Sequence, residues 1–218
     1  MDAKQKKAII FDMDGVLVNS EPIYQQMFRH FLTVNNCVID EVIFKSIAGA
    51  STKNTWDIMS RLWYEDIDGE RLHIEFRRQF PDFKVPYDEA LFPGVKELLH
   101  WLKVRGYTVG LASSSSERNI NRMLDVTGLR EYFSFYISGD MFRQSKPNPE
   151  IYEYACSRTG YSKEECLVVE DSTYGIQAAR AAGLDVVAIR DYGLGYNQSL
   201  ATCVVEKVAE LKNILDNN

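Results

Sequence analysis

Histidine and cysteine are scarce in this chain of 218 residues, and neither occurs with the spacing of a metal site. The three histidines, His30, His73 and His100, lie too far apart along the sequence to form the short-range pairs of zinc motifs. The four cysteines include no Cys-x-x-Cys pair; they are Cys37, Cys156, Cys166 and Cys203. We therefore expect reduced, mostly buried thiols in a cytosolic protein rather than a disulfide framework.

An excess of positive charge and long apolar runs are also missing. The 25 lysines and arginines are outnumbered by 31 aspartates and glutamates, which gives a formal net charge of -6 at pH 7. This acidic balance argues against a nucleic-acid or anionic-membrane partner. No apolar run approaches the roughly 20 residues that cross a bilayer. The polar start, residues 1–7, leads into an apolar run too short for a signal peptide. We expect a cytoplasmic monomer without nucleic-acid or membrane partners.

Short apolar runs alternate with amphipathic segments from about Pro93 onward, and one further apolar run, Ala8–Phe11, lies near the start. The predicted strands are residues 8–11, 107–112, 133–137, 166–169 and 186–189. The predicted helices are residues 94–105, 150–159, 174–182 and 208–215. One more predicted helix begins at a capping box of Ser114 and Glu117 and runs to about residue 127. Alternation of this kind indicates a parallel sheet covered by helices on both faces.

The stretch from about residue 18 to residue 89 breaks this alternation. It shows helical periodicity, with Ile23, Met27 and Phe31 on one face, and no convincing strand. We interpret residues 18–89 as a helical domain with its own small core. It is inserted between a first core segment, residues 1–17, and the rest of the core, residues 90–218.

Polar residues follow three of the predicted strands directly. Asp12 and Asp14 follow the first, Ser113 follows the second, and the pair Glu170-Asp171 follows a later one. A lysine, at position 146, lies in a polar loop before a helix. Functional groups of open parallel sheets collect just beyond the carboxyl ends of the strands, so we expect these side chains to converge at one edge.

Clustered carboxylates repel one another unless a cation neutralises them. Oxygen ligands without histidine suit magnesium, and a bound magnesium in turn suits a phosphate substrate. A lysine and a hydroxyl group would then hold phosphate oxygens and offset charge in the transition state. The predicted site is therefore one for magnesium and phosphate.

Each motif alone also has an ordinary structural explanation. Asp-x-Asp-Gly is a common turn, and it resembles the start of a calcium loop; that loop is excluded because Val16 and Ile23 stand where ligands are needed. The serines after residue 112 are compatible with a loop and a helix cap, and Glu170-Asp171 with charges that complement a helix dipole. Lys146 is compatible with a solvated lysine. The order of all four motifs, each in its place, favours a functional site.

Together these segments resemble the haloacid dehalogenase superfamily, in the branch of β-phosphoglucomutase-like phosphatases. The four motifs are residues 11–17 (FDMDGVL), 111–113 (LAS), 145–147 (SKP) and 169–172 (VEDS). The resemblance covers nearly the whole chain. It implies an α/β fold, namely a Rossmann-like, doubly wound parallel sheet with a small helical cap domain inserted after the first strand.

The resemblance also implies roles for the acidic residues. Asp12 would be the nucleophile that attacks phosphorus, and Asp14 would protonate the leaving oxygen and later deprotonate water. Mg²⁺ would be held by the Asp12 carboxylate, the Asp14 backbone carbonyl and Asp171, with Glu170 beside it or joined through water. The implied enzyme is a magnesium-dependent phosphatase that hydrolyses a small phosphate monoester, such as a sugar phosphate, through an aspartyl-phosphate.

The remaining core motifs would contact the substrate. Ser113, with Ser114 beside it, would hydrogen-bond the transferring phosphoryl group, and Lys146 would pair with that group and with Asp12. The presence of Asp14 disfavours carbon–halogen cleavage, because dehalogenases of this superfamily lack the second acidic residue. A catalytically silent binding protein on the same fold is the alternative from another class, and the intact motifs argue against it.

A β-phosphoglucomutase is the nearer alternative, and two residues of the cap weaken it. Mutases of this family carry a histidine where Tyr24 aligns and an arginine where Thr52 aligns, although Lys53 is one position away. Candidate substrate contacts in the cap are Tyr24, Ser51, Thr52 and Lys53, with Arg77 and Arg78 as weaker candidates. A solvated surface or a cap core explains each of them equally well, so the sequence leaves the substrate open.

Overall fold

The computed structural model describes residues 2–216, and its centre is a six-stranded sheet. The strands are β1 (Ala8–Phe11), β2 (Thr108–Ser113), β3 (Phe135–Ser138), β4 (Cys166–Glu170), β5 (Asp185–Ile189) and β6 (Cys203–Val205). Their order is β3-β2-β1-β4-β5-β6, and every neighbouring pair is parallel. The doubly wound Rossmann-like sheet expected from the sequence is confirmed.

The helices connect these strands and form the insert. In chain order within residues 2–216 they are α1 (Glu21–Val34), α2 (Glu41–Lys45), α3 (Thr52–Ser60), α4 (Gly69–Gln79), α5 (Tyr87–Ala90), α6 (Val95–Val104), α7 (Glu117–Thr127), α8 (Glu150–Thr159), α9 (Thr173–Ala181) and α10 (Leu211–Asp216). Short 3-10 turns lie at Ala3–Gln5, Arg130–Tyr132, Gly139–Met141, Lys163–Glu165 and Val208–Glu210. None of the helices in this part of the chain is long and apolar enough to cross a membrane.

The chain divides into two compact units. One, the core unit, contains the residues up to Asn19 and those from Tyr87 onward; the other, the cap unit, is Ser20–Pro86. All six strands and α5 to α10 belong to the core unit, whereas α1 to α4 form the cap unit. The boundaries expected from the sequence, after residues 17 and 89, lie close to these divisions.

The core unit is held together by a sheet whose two central strands, β1 and β4, are buried along their whole length. The four residues of β1 are fully buried, as the AIIF sequence requires of a central parallel strand. On one face of the sheet, Ala8 and Ile10 pack in a single cluster with buried residues of α8 and α9. The same packing fixes α8, and with it the side chain of Tyr152, against the sheet.

The cap unit has a separate, aromatic core. Buried Phe28, Phe31, Trp56 and Phe76 pack with one another, and their ring centroids are 5.0–6.2 Å apart. These residues come from α1, α3 and α4, so three helices share one small core. No strand occurs among residues 20–86, all of which the structure describes.

The structure corrects three details of the sequence prediction. The capping box of Ser114 and Glu117 is wrong: Ser116 caps α7, because its hydroxyl accepts a hydrogen bond from the Asn119 N–H at 3.4 Å. The edge strand β6 was not predicted, and residues 208–210 form a 3-10 turn ahead of α10 rather than its first turn. All four cysteines are free, two of them buried and two half-buried.

Candidate active site

The candidate site lies beyond the carboxyl ends of β1, β2 and β4, where the strand order changes direction. Asp12 follows β1, Ser113 ends β2, and Glu170 ends β4. Because β1 pairs with both β2 and β4, these three residues are neighbours across the sheet. The topological switch point of an open α/β sheet is where ligands bind, so the chain places its polar groups at the position that the fold favours.

Asp12 and Lys146 form a buried ion pair at this edge. The Lys146 Nζ lies 2.6 Å from the Asp12 Oδ1, and the two side chains are 5% and 10% exposed. Burial raises the pKa of Asp12 to about 7; the Lys146 charge opposes this rise, and the carboxylates of Glu170 and Asp14 add to it. The single lysine therefore does not neutralise the acidic cluster around Asp12.

Glu170 has its full complement of hydrogen bonds from the protein. Its Oε1 accepts from the Lys146 ammonium at 2.8 Å and the Tyr152 hydroxyl at 2.9 Å. Its Oε2 accepts from the backbone N–H groups of Asp171 and Ser172 and from the Ser172 hydroxyl, at 2.8–3.1 Å. Burial alone would raise the pKa of Glu170, but the charge of Lys146 and these hydrogen bonds lower it. Glu170 is thus held as a carboxylate.

Sequence reasoning missed Tyr152, which joins this network from α8. The residue is fully buried, and its hydroxyl lies 2.8 Å from the Lys146 Nζ. Burial and the neighbouring Glu170 carboxylate raise the pKa of the phenol well above its ordinary value, so the group keeps its proton. The signal was present in the sequence: a tyrosine on a helix face that is otherwise Ile151, Ala155 and Cys156 needs a buried partner for its hydroxyl.

Asp14 lies in the turn after Asp12, and a serine from the β2 loop holds its side chain. The Ser115 hydroxyl donates to the Asp14 Oδ2 at 2.7 Å, a contact between residues 101 positions apart. The Ser115 N–H in turn donates to the Ser113 Oγ at 3.1 Å. Ser113 is buried, and Ser114 beside it is half-buried. Ser115 was not singled out from the sequence, because nothing local distinguishes it among four consecutive serines.

Asp171 lies against the backbone of the Asp14 turn. A Cβ atom added to Gly15, whose φ is +78°, would overlap the Asp171 carboxyl group, so only glycine permits this approach. No group of three or more histidine, cysteine or acidic side chains within residues 2–216 is arranged as a metal site. The ligand set that the resemblance implies has another composition: two carboxylates, Asp12 and Asp171, and the backbone carbonyl of Asp14, with Glu170 beside the ion or joined through water. Hard oxygen donors beside an under-neutralised acidic cluster fit a magnesium ion.

The cap candidates have partners within the cap unit. The Tyr24 ring contacts Phe28 at 5.8 Å and Phe83 at 6.0 Å between centroids. The Ser51 hydroxyl caps α3, and the exposed Lys53 pairs with Asp57 at 2.6 Å. The exposed Thr52 begins α3, and the Arg78 guanidinium pairs with Glu75 at 2.7 Å. These contacts account for the cap residues structurally, and their contact with substrate stays a prediction.

Comparison with known proteins gives the family. A family model described as haloacid dehalogenase-like hydrolase matches residues 9–189. A phosphorylated carbohydrates phosphatase of Thermotoga maritima is 30% identical, over 96% of this chain and 98% of that protein. A phosphoglycolate phosphatase of Nitrosococcus oceani is 28% identical, over 97% of each chain. The crystal structure of a putative β-phosphoglucomutase from Thermotoga maritima has a TM-score of 0.71 and 30% identity, and covers 97% of this chain and 99% of that one.

The region matched by the family model includes every residue of the candidate site, from Asp12 to Asp171. The relatives align over nearly their whole length, so the similarity extends beyond a shared sheet. The chain therefore belongs to the haloacid dehalogenase-like hydrolases, in their β-phosphoglucomutase-like branch, and is a phosphoric monoester hydrolase.

Proposed function

We propose that the protein is a magnesium-dependent phosphatase that hydrolyses a small sugar phosphate through an aspartyl-phosphate on Asp12. The observation that carries the proposal is the buried pair of Asp12 and Lys146 at the end of β1, with Asp14 two residues further along the same turn. A carboxylate positioned beside a fixed ammonium, with a second carboxyl group nearby, suits nucleophilic attack on a phosphoryl group.

In the first half-reaction, the Asp12 carboxylate attacks phosphorus and the bond from phosphorus to the ester oxygen breaks. Asp14 donates its proton to that leaving oxygen, so the alcohol departs neutral. Lys146 and the Ser113 hydroxyl offset the negative charge on the phosphoryl oxygens. Magnesium, when bound by Asp12, Asp171 and the Asp14 carbonyl, supplies positive charge for the substrate phosphate.

In the second half-reaction, the Asp14 carboxylate takes a proton from water, and that water attacks the phosphorus of the aspartyl-phosphate. The bond between phosphorus and the Asp12 oxygen breaks, which releases phosphate and restores the carboxylate. The Ser115 hydroxyl, 2.7 Å from the Asp14 Oδ2, holds the acid–base residue in the turn during both steps.

A sugar phosphate is the favoured substrate class because one relative is named as a phosphatase of phosphorylated carbohydrates. The similarity to a putative β-phosphoglucomutase keeps a mutase as the second candidate. Against it, Tyr24 and Thr52 replace the histidine and arginine expected in a mutase, and the Tyr24 ring packs within the aromatic core of the cap. A silent binding protein is disfavoured by the intact pair of Asp12 and Lys146.

The test is phosphate release from a panel of sugar phosphates, nucleotides, phosphoglycolate and pyrophosphate, with magnesium and with excess chelator. We expect turnover of at least one sugar phosphate, its loss in chelator, and its abolition by Asp12→Asn, because an amide cannot form the acyl-phosphate. Asp125→Asn, a change at an exposed acid paired with Arg130, serves as the control and should retain activity. Near-normal turnover by Asp12→Asn would replace the covalent mechanism with direct attack by water.

A further inference from the structure

We infer that Tyr152 is a positioning residue for Lys146, an assignment that rests on the proposed phosphatase function. Its hydroxyl closes a buried triangle with the Lys146 ammonium and the Glu170 carboxylate, with sides of 2.8, 2.8 and 2.9 Å. No charged group of the substrate needs to touch Tyr152 for this role. The hydroxyl acts by fixing where the ammonium lies relative to Asp12.

The hydrogen-bond count of Lys146 supports this assignment. An ammonium has three N–H donors, and three acceptors lie within 2.8 Å of the Nζ: Asp12, Glu170 and Tyr152. The backbone carbonyl of Ala112 is a fourth, longer contact at 3.3 Å. The three short contacts use all three donors, so the Tyr152 oxygen accepts from the lysine and its O–H donates to Glu170.

The geometry of the triangle explains why a neutral third partner is needed. Asp12 and Glu170 take two of the three N–H directions of the ammonium, and without Tyr152 the third N–H has only the longer contact with the Ala112 carbonyl. Tyr152 supplies the third direction from α8, a helix packed on the sheet through the surrounding cluster. Since all three side chains are buried, water does not substitute easily for a missing hydroxyl.

Removing only the hydroxyl isolates this role. The ring of Tyr152 also faces Lys146, with the Nζ 4.6 Å from its centroid, and phenylalanine preserves that face and nearly all the volume. In Tyr152→Phe the third donor of Lys146 turns to the Ala112 carbonyl, so the charge stays while its position loosens. Small displacements of a catalytic group reduce kcat by about 10- to 100-fold.

The experiment measures kcat and KM for Tyr152→Phe, Lys146→Ala and the double variant, on the best substrate of the panel. We expect Tyr152→Phe to lower kcat about 10- to 100-fold with KM within about twofold, since Lys146 acts on charge in the transition state. When Lys146 is already alanine, adding Tyr152→Phe should not lower kcat further. Tyr154→Phe removes a hydroxyl from the exposed side of the same helix and should match the wild type.

Two results would overturn the inference: a kcat for Tyr152→Phe within about twofold of the wild type, or the same fold-loss with and without Lys146. The proposed function fails separately, if the wild type releases no phosphate from any ester of the panel. In that case nitrogen NMR of the lysine ammonium groups decides. Proton exchange at Lys146 should be at least about tenfold faster in Tyr152→Phe, and an unchanged rate would reject the positioning role.

Discussion

Gly175 lies so close to Glu170 that no side chain fits between them. A Cβ atom at position 175 would overlap the Glu170 carboxyl group, although the residue lies inside α9, where glycine is otherwise unfavourable. The backbone N–H of Gly175 also donates to the Ser172 hydroxyl, which itself bonds Glu170. The first turn of α9 therefore packs directly against the Glu170 carboxylate and fixes its position.

We predict that Gly175→Ala lowers kcat by about 10- to 100-fold, because the displaced Glu170 no longer fixes Lys146. Overpacking should also reduce the free energy of unfolding by about 1–3 kcal/mol. Gly193→Ala is the matched control: that glycine is exposed, and nothing lies within 4 Å of its added Cβ. Steady-state kinetics and urea unfolding of both variants check the prediction, which an active and fully stable Gly175→Ala would contradict.

The sequence predicted the placement of the charged residues because one rule governs it. Asp12 follows the buried strand β1 and Glu170 ends the buried strand β4, and parallel strands bring their carboxyl ends to one edge whatever the details of the helices. Tyr152 and Ser115 escaped prediction for the opposite reason. Their roles depend on side-chain contacts with residues from other elements, and neither lies directly beyond a strand that the sequence marks.

The errors in secondary structure have similar physical causes. Strand β6 is only three residues long, and Cys203 and Val204 are not buried, so it carries little of the apolar pattern that marks a strand. The cap of α7 fell on Ser116 rather than Ser114, because several consecutive serines offer equivalent local chemistry. Contacts with other elements determine which serine caps the helix. The Ser115 hydroxyl donates to the Asp14 carboxylate, and the Ser115 carbonyl accepts from the Ser138 hydroxyl.

The raised pKa of Asp12 predicts that magnesium binding depends on pH. Burial raises this pKa to about 7, so the carboxyl group is largely protonated in mildly acidic solution without metal. A cation binds the carboxylate and must displace that proton. The apparent magnesium affinity should therefore rise with pH from about 5.5 to about 7, by up to about tenfold per unit, and level off above.

Calorimetric titration of magnesium across this pH range measures the effect, and repeating it in buffers of different ionisation enthalpy counts the protons released. Asp12→Asn should bind weakly and without this pH dependence, whereas Asp125→Asn should behave as the wild type. A magnesium affinity that is constant between about pH 5.5 and about pH 7 would show that Asp12 is already ionised when the cation arrives.

Lys6 lies just before β1, at the amino ends of the strands and away from the candidate site, and it tests how a buried ion pair contributes to the stability of the fold. Its side chain is 1% exposed, and the ammonium donates to the carbonyls of Glu164 and Cys166 and to the Asp185 carboxylate, at 2.6–3.0 Å. Lys6→Met keeps the apolar stem but leaves these acceptors without the lysine. We predict a loss of about 2–3 kcal/mol in the free energy of unfolding at pH 7 with little change in kcat.

The pH dependence of this loss has a definite sign. Burial would raise the pKa of Asp185, but the hydrogen bond and charge of Lys6 lower it below its ordinary value. The pair therefore stabilises the fold above about pH 4 and loses its effect as the pH falls through the lowered pKa. Urea unfolding should show the difference between Lys6→Met and the wild type narrowing at acid pH. The neighbouring Lys7, whose pair with Glu165 is 55% exposed on the lysine side, is the control: Lys7→Met should leave the free energy of unfolding close to that of the wild type.

The cap predicts the fate of the phosphoryl group once it is on Asp12. A mutase must protect the aspartyl-phosphate from water until a sugar phosphate accepts the group, and the family's mutases do so with a cap histidine and arginine. The sequence aligns Tyr24 and Thr52 with those positions, and Lys53, one residue further along the chain, pairs with Asp57 at 2.6 Å. Without a histidine at the position of Tyr24, water is the expected acceptor. Phosphate release should therefore dominate.

The measurement follows glucose 6-phosphate and free phosphate in one reaction, from β-glucose 1-phosphate with and without a bisphosphate primer. We expect phosphate to form faster than the isomer, at a rate that the primer does not increase. Lys53→Ala should leave this ratio unchanged if its ammonium only pairs with Asp57 on the cap surface. Primer-dependent isomerisation that exceeds hydrolysis by about tenfold, a barrier difference of about 1.4 kcal/mol, would instead make the protein a mutase. Loss of that excess in Lys53→Ala would then identify Lys53 as the residue that replaces the missing arginine.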